Sequence, residues 1–186
     1  DGADELFMGY PTFLAGQWAN SFEKFPKFLL KAFNAAVNQL PASTENISLD
    51  FKLKQFFKGM LYQSPIRDQL WLGAFSRNEE ESLLEPSLKP NAEKCYDIFT
   101  TSLNTPSREF LKKLQEFYFR FYLQGDILVK VDRASMANSL EVRSPLLDDD
   151  LVEKMLKVSS NILFKKNTPK YLFKKAMKGR LPETII

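Results

Sequence analysis

The 186-residue sequence contains no histidine. Within this chain that excludes Ser-His and Cys-His nucleophile pairs and the common zinc sites built on imidazole. Any general acid, base or electrostatic catalyst must therefore come from Asp, Glu, Lys, Arg or Tyr. Chemistry run by carboxylates, a lysine and a metal remains, a subset suited to phosphate and acyl-phosphate work. Cysteine is almost as scarce. Cys95 alone rules out an internal disulfide framework and fits a reducing compartment. No apolar run approaches the roughly 20 residues of a spanning helix, and no signal peptide is expected ahead of the body. A soluble, cytoplasmic setting without membrane partners is expected. The formal net charge is only +3, which gives little reason to expect a nucleic-acid partner.

What is present is apolar and periodic. The sequence is 44% hydrophobic and holds seventeen Phe, enough for one ordinary core, and most of these rings are expected inside it. Between Gln17 and Leu40 the residues Phe22, Phe25, Phe28, Leu29, Leu30, Phe33, Ala36 and Val37 recur mostly three or four apart, with Pro26 expected to start a helix. Leu49 to Leu61 predicts a second helix, and the Ser64-Pro65 step a short third one through Ile66, Leu70, Trp71 and Phe75. Residues 77 to 92, with Glu79-Glu80-Glu81, Pro86 and Pro90, predict a surface excursion. Pro106-Ser107-Arg108-Glu109 is expected to open an aromatic helix through Phe110, Leu114, Phe117, Tyr118, Phe121 and Tyr122. Asp148 is a candidate cap for a helix burying Leu151, Met155 and Val158. Thr168-Pro169 predicts the start of a last helix, with Gly179 ending it. One mainly helical domain with little sheet is expected.

Three segments carry chemistry. The first is Asp1-Gly2-Ala3-Asp4-Glu5-Leu6-Phe7-Met8-Gly9-Tyr10, with three carboxylates around a glycine, suited to gripping a hard divalent cation that manages nucleotide phosphates. The second, from Gly125 to Asp148, contains the run LVKVDRASMANSLEVRSPLLD. The third is Thr168-Pro169-Lys170-Tyr171-Leu172-Phe173-Lys174-Lys175-Ala176, followed by Leu181-Pro182-Glu183. In this order they resemble the carboxyl-terminal half of the synthetase domain of glutamine-dependent asparagine synthetases. The middle run matches the family pattern nearly residue for residue. The first segment matches SGDGxDELFxGY after its opening two residues, and the third matches KYxLKKAxxxxLPxxI. Residues 15 to 115 match in helical character more than in motif.

The resemblance implies an α/β adenine-nucleotide alpha-hydrolase-like domain of the PP-loop ATP pyrophosphatase type, of which residues 1–186 are the helical carboxyl-terminal portion. The SGGxDS pyrophosphate loop and the glutaminase domain with its amino-terminal cysteine are expected upstream. The implied reaction activates a carboxylate, most commonly aspartate, as an acyl-adenylate and amidates it with ammonia from glutamine. The implied cofactors are ATP and Mg2+. Asp4 matches the aspartate that shares magnesium with one from the pyrophosphate loop. Asp1 matches a neighbouring acidic active-site position, and it borders the nucleotide together with Gly2. Lys170 matches the lysine that stabilises charge as the α-phosphate is attacked and pyrophosphate leaves. Placed just after Thr168-Pro169, it is also expected near backbone N–H groups that favour anions.

Supporting roles fall to Glu5, to Asp132 and Arg133 in a buried polar network, and to Glu141 and Arg143 as a pair bracing the loop before Pro145. Met8 replaces a frequent glycine and is expected to crowd a tight turn. By itself the segment is expected to be inactive, and the full-length protein to be capable of homodimerising. Two other readings stay open: a catalytically silent helical interaction module, and a family relative acting on a sugar acid or on a β-lactam or lasso-peptide precursor.

Overall fold

Helices account for nearly all regular structure in the computed structural model. It describes residues 1–186 apart from Asn46, Ile47, Pro65, Ala74, Ser76, 104–108 and Ile186, and apart from the side chains at 77, 92, 93, 95, 99, 102 and 103. Among the described residues there is no strand, only isolated bridges between Lys165 and Thr168 and between Lys178 and Leu181. The mainly helical class read from periodicity stands. The described residues form two compact units, Asp1–Leu14 with Ser107–Ile186, and Ala15–Pro106. We call them the motif unit and the aromatic unit.

In the motif unit, α1 (Ala3–Leu6) is a single turn entered through Gly2 at φ 91°. Helix α8 (Phe110–Phe117) continues without a break through a π-helical stretch, Tyr118–Ile127, into α9 (Leu128–Met136). The polar residues at Gly125-Asp126 thus lie inside a helix. The expected opening of this helix at Pro106-Ser107-Arg108 lies outside the described residues. Further on, α10 (Asp149–Lys157) is capped by Asp148, whose carboxylate accepts from Leu151 N at 3.2 Å. Asp149 and Asp150 in its first turn and Lys154 and Lys157 in its last complement the helix dipole. Leu151, Met155 and Val158, expected to be buried, are only partly so. After α11 (Ser160–Leu163) comes α12 (Tyr171–Met177). The unit's core is Leu6, Phe7, Met8 and Phe13 against Leu111, Leu114, Phe117, Tyr118, Leu123, Leu163 and Phe164, all buried. Turn α1 packs on the π-helical stretch and on α10, which places the acidic segment over this core.

In the aromatic unit, Pro26 separates two helices. Helix α2 (Pro11–Phe22), whose first turn belongs to the motif unit, ends before it, and α3 (Lys27–Asn38) begins directly after it. Proline's fixed φ makes position 26 an entry point, as the sequence indicates. Helix α4 (Leu49–Gly59) is capped by Ser48, and α5 (Ile66–Leu72) follows. The expected surface excursion over 77–92 is exposed at most of its described side chains, but it is helical, with α6 (Arg77–Leu83) and α7 (Lys89–Leu103). Pro90 falls in the first turn of α7, where its missing N–H has no helical partner to lose. Ala19, Leu30 and Met60 form the buried centre, with Phe22, Phe56 and Trp71 packed around it. The rings are less buried than expected. Phe25, Phe28, Phe33, Phe51 and Phe75 are each at least 44% exposed, so for these five a core role is overturned. A helical stripe buries only the rings that face a neighbour.

Candidate functional site

The first and third motifs meet in the motif unit. Lys170 Nζ lies 2.9 Å from Asp4 Oδ1, with the two side chains 30% and 36% exposed. Phe7, three residues after Asp4, stacks on Phe173, three after Lys170, with centroids 4.8 Å apart. That apolar contact sets the register in which the charged pair forms. A pair this exposed contributes at most about 1 kcal/mol to folding.

The backbone here is strained. Lys170 adopts the left-handed conformation, φ 54°, at the N-cap of α12, and Lys166 and Asn167 in the preceding loop do likewise. The helix therefore starts at Tyr171, and Thr168-Pro169 forms a turn before it, not the cap and first turn expected. Lys170 is thus the N-cap of α12 itself, and its ammonium meets the Asp4 carboxylate. The other end of α12 agrees with the sequence: Lys178 is the C-cap and Gly179 follows at φ 76°. Met8 is left-handed too, φ 55°, and completely buried. Its strain costs roughly 1–2 kcal/mol, whereas removing a buried Met side chain costs about 2–5 kcal/mol. The crowding expected at this position is therefore outweighed by packing.

Gly9 makes room for the pair. A Cβ at Gly9 would overlap both the Asp4 carboxylate and the Lys170 Cε, while Gly9 N donates to the Asp4 carbonyl at 2.7 Å. Gly2, left-handed, lies against Leu147, so the end of the second motif closes on the first. Glu5 is buried, and its Oε1 accepts from the Tyr10 hydroxyl at 2.6 Å. Burial, then this bond and the Glu5 charge, push the Tyr10 phenol far above its ordinary pKa, so it remains a donor. Tyr10 stacks on Tyr118 at 4.9 Å, and Thr12 bonds the Tyr118 hydroxyl.

The remaining predicted residues lie apart from this centre. Asp1 is exposed, and among the described residues no hydrogen bond or ion pair holds its side chain. Asp132 and Arg133 are exposed on α9, which overturns the expected buried network. An open helix face lets water solvate charges that a core would have to pair. Glu141 and Arg143 do pair, fully in solvent at 68% and 84% exposure, where the contact can brace the extended segment only weakly. Sequence reasoning missed Gly9 as a site residue and missed Gln115, which is buried on α8 and donates to the carbonyls of Glu5 and Leu6. The available signal for Gln115 was a lone amide four residues after Leu111, on the apolar stripe of α8.

Among the described residues no three acidic, cysteine or histidine side chains converge as a metal cage. Asp4 offers one accessible carboxylate, already engaged on one oxygen by Lys170. That fits one ligand of a shared cation and not a complete site. With the ammonium beside it, the pair can face a polyphosphate with a cation-bridged side and a directly charged side.

The profile of the family described as Asparagine synthase matches residues 1–186. Among curated proteins, asparagine synthetase [glutamine-hydrolyzing] 1 of Bacillus subtilis (strain 168) is 31% identical over 189 residues, covering 100% of this chain and 28% of that protein. Putative asparagine synthetases [glutamine-hydrolyzing] of Mycobacterium bovis and Mycobacterium tuberculosis are each 25% identical over 186 residues, covering 100% of this chain and 27% of theirs. The chain thus spans little more than a quarter of the length of these relatives. No solved structure matches it significantly. The chain belongs to the asparagine synthase family.

Proposed function

We propose that this chain is the part of an asparagine synthetase that manages the phosphates of ATP during amide formation. A carboxylate oxygen of aspartate attacks the α-phosphorus, the bond from that phosphorus to the bridging oxygen breaks, and pyrophosphate leaves. Ammonia derived from glutamine then attacks the acyl carbon and loses a proton, and AMP departs. Lys170 offsets the charge that builds on the phosphates, and Gly9 keeps its ammonium and the Asp4 carboxylate in register. Asp4 would hold magnesium together with a carboxylate from the remainder of the enzyme, and the cation would neutralise the leaving pyrophosphate. Asp1 and Gly2 border the nucleotide. The whole domain is proposed to have the PP-loop α/β fold and to work in the cytoplasm. Among the described residues no helix is long and apolar enough to cross a membrane.

The observation that carries this reading is the Asp4–Lys170 contact, in which residues from opposite ends of the chain meet at 2.9 Å. So weak and strained a contact adds little to folding, which favours a chemical use. In the full-length polypeptide, Lys170→Ala is expected to lower magnesium-dependent pyrophosphate release by at least about 10²-fold with an unchanged circular dichroism spectrum. Release near the wild-type rate would sink the assignment. The 186 residues alone supply one of the two magnesium carboxylates and are expected to be silent in the same assay.

A further inference from the structure

One residue outside the three motifs holds the Asp4 turn from beneath. Gln115 is 1% exposed on α8, beside Leu111, Leu114 and Phe117. Its Nε2 donates to the Glu5 carbonyl at 3.1 Å and to the Leu6 carbonyl at 2.8 Å. Its Oε1 accepts from Lys112 Nζ at 2.9 Å, and the same ammonium donates to the Leu156 carbonyl of α10 at 3.1 Å.

This chain of bonds has only one workable direction. An ammonium can only donate and a peptide carbonyl can only accept, so Oε1 must face Lys112 and Nε2 must face the turn. A flipped amide would oppose donor to donor at one end and acceptor to acceptors at the other. Glutamate would set a carboxylate against two carbonyls, and asparagine is one methylene short. Lys112 is half-buried on the wall of an open cavity of about 490 Å³, which Glu116, Phe119 and Arg120 also line. Burial lowers the pKa of its ammonium, and Glu109 opposes that change. Bonded to a charged donor, the amide is held more firmly than by a neutral one.

We propose that Gln115, locked in one orientation by Lys112, is a positioning residue that fixes the Asp4 turn against Lys170. The catalytic half of this proposal rests on the Asp4–Lys170 pair being the phosphate site. Without Gln115 the Glu5 and Leu6 carbonyls lose their side-chain donor, and the turn is free to shift. Asp4 has little tolerance for that, because small misplacements of a reacting constellation cost large factors in rate.

The test combines hydrogen–deuterium exchange of the Ala3–Tyr10 segment, read by mass spectrometry in the full-length polypeptide, with pyrophosphate release. Gln115→Met keeps length and volume but removes both bonding ends. It is expected to speed exchange in that segment about tenfold, and to lower kcat about tenfold with KM for ATP within about twofold of wild type. Lys112→Met should act in the same direction by about threefold, and it keeps the proposal testable if Gln115→Met fails to fold. Lys112→Arg, which retains a donor cation, should restore wild-type exchange, and Arg120→Ala on the same cavity wall should change neither readout. Unchanged exchange in both Gln115→Met and Lys112→Met overturns the proposal, as does a fall in kcat that only tracks the folded fraction. Faster exchange in a polypeptide whose wild type releases no pyrophosphate supports the hold on the turn and sinks the phosphate-site reading.

Discussion

The two units use charge in opposite ways. In the motif unit, Asp4 and Lys170 meet at about one-third exposure, where water screens them and the contact adds little stability. In the aromatic unit, Arg67 is wholly buried: its Nη1 donates to Glu23 Oε1 at 2.6 Å, and its Nε lies 3.6 Å from Asp68 Oδ1. Its guanidinium also sits over the Trp71 ring, 5.4 Å from the centroid. Glu23 is itself 46% exposed, so the buried part of the set is Arg67 with Asp68, and removing one of those two costs about 3–5 kcal/mol. The residues proposed for chemistry thus contribute little to folding. The buried guanidinium comes from none of the three motifs, although Glu5 of the first is buried as well. Accessible charges can exchange a protein partner for a ligand, whereas buried ones cannot without disrupting the core around them.

The sharpest way to break this contrast is Arg67→Met. It leaves the Asp68 carboxylate buried without its guanidinium, and is expected to destabilise the aromatic unit by about 3 kcal/mol, lowering a urea midpoint by at least about 1 M. Both tryptophans, Trp18 and Trp71, lie in that unit, so their fluorescence reports on it selectively. A midpoint within about 0.2 M of wild type would mean that the cluster is a surface network despite its burial.

Gly9→Ala probes the other side of the contrast. The added methyl must displace the Asp4 carboxylate or the Lys170 stem. Pyrophosphate release by the full-length polypeptide should fall about 10²-fold, equivalent to about 2.7 kcal/mol of barrier. The motif unit's own urea transition, read by hydrogen exchange of the α8 amides, should stay where it is. If that transition dropped in step with the rate, position 9 would be a folding residue and the division of labour would fail.

What the sequence could and could not convey follows the same line. The motifs at Asp4 and Lys170 were legible because they resemble the family's pattern, and the helices because core burial imposes a period on Leu and Phe. Gln115, Gly9 and Arg67 were not legible as a set. Each acquires its role from a partner far along the chain: Gln115 from Glu5 and Leu6, Gly9 from Lys170, Arg67 from Glu23. Local pattern reports which face is apolar, not which polar group waits opposite it. The helices over 77–92 were missed for a related reason. Proline and acidic residues signal a break in mid-helix, but in a first turn both are accommodated. The start of α12 was placed two residues too early, because Thr-Pro signals a cap without specifying where the left-handed residue falls.

The smallest expected effect concerns Asp68. Burial raises its pKa above the ordinary carboxylate value, while the Arg67 charge and the Ser64 hydroxyl, 2.6 Å away, oppose the rise and Glu23 adds to it. A carboxyl that holds its proton more tightly when folded gives the folded state more bound protons. Its contribution is therefore favourable at low pH and is lost as pH rises from about 4, the unfolded value, through the higher folded one. Asp68→Asn keeps the shape, can still accept from Ser64, and cannot ionise. It should flatten the fall in tryptophan-reported stability as pH rises above about 4, while changing stability at pH 7 by no more than about 1 kcal/mol. A variant whose stability fell with pH as steeply as wild type would place the titrating group elsewhere. Arg67 would then hold Asp68 ionised throughout, and the buried cluster of the aromatic unit would resemble the charge-paired site of the motif unit more closely than its burial implies.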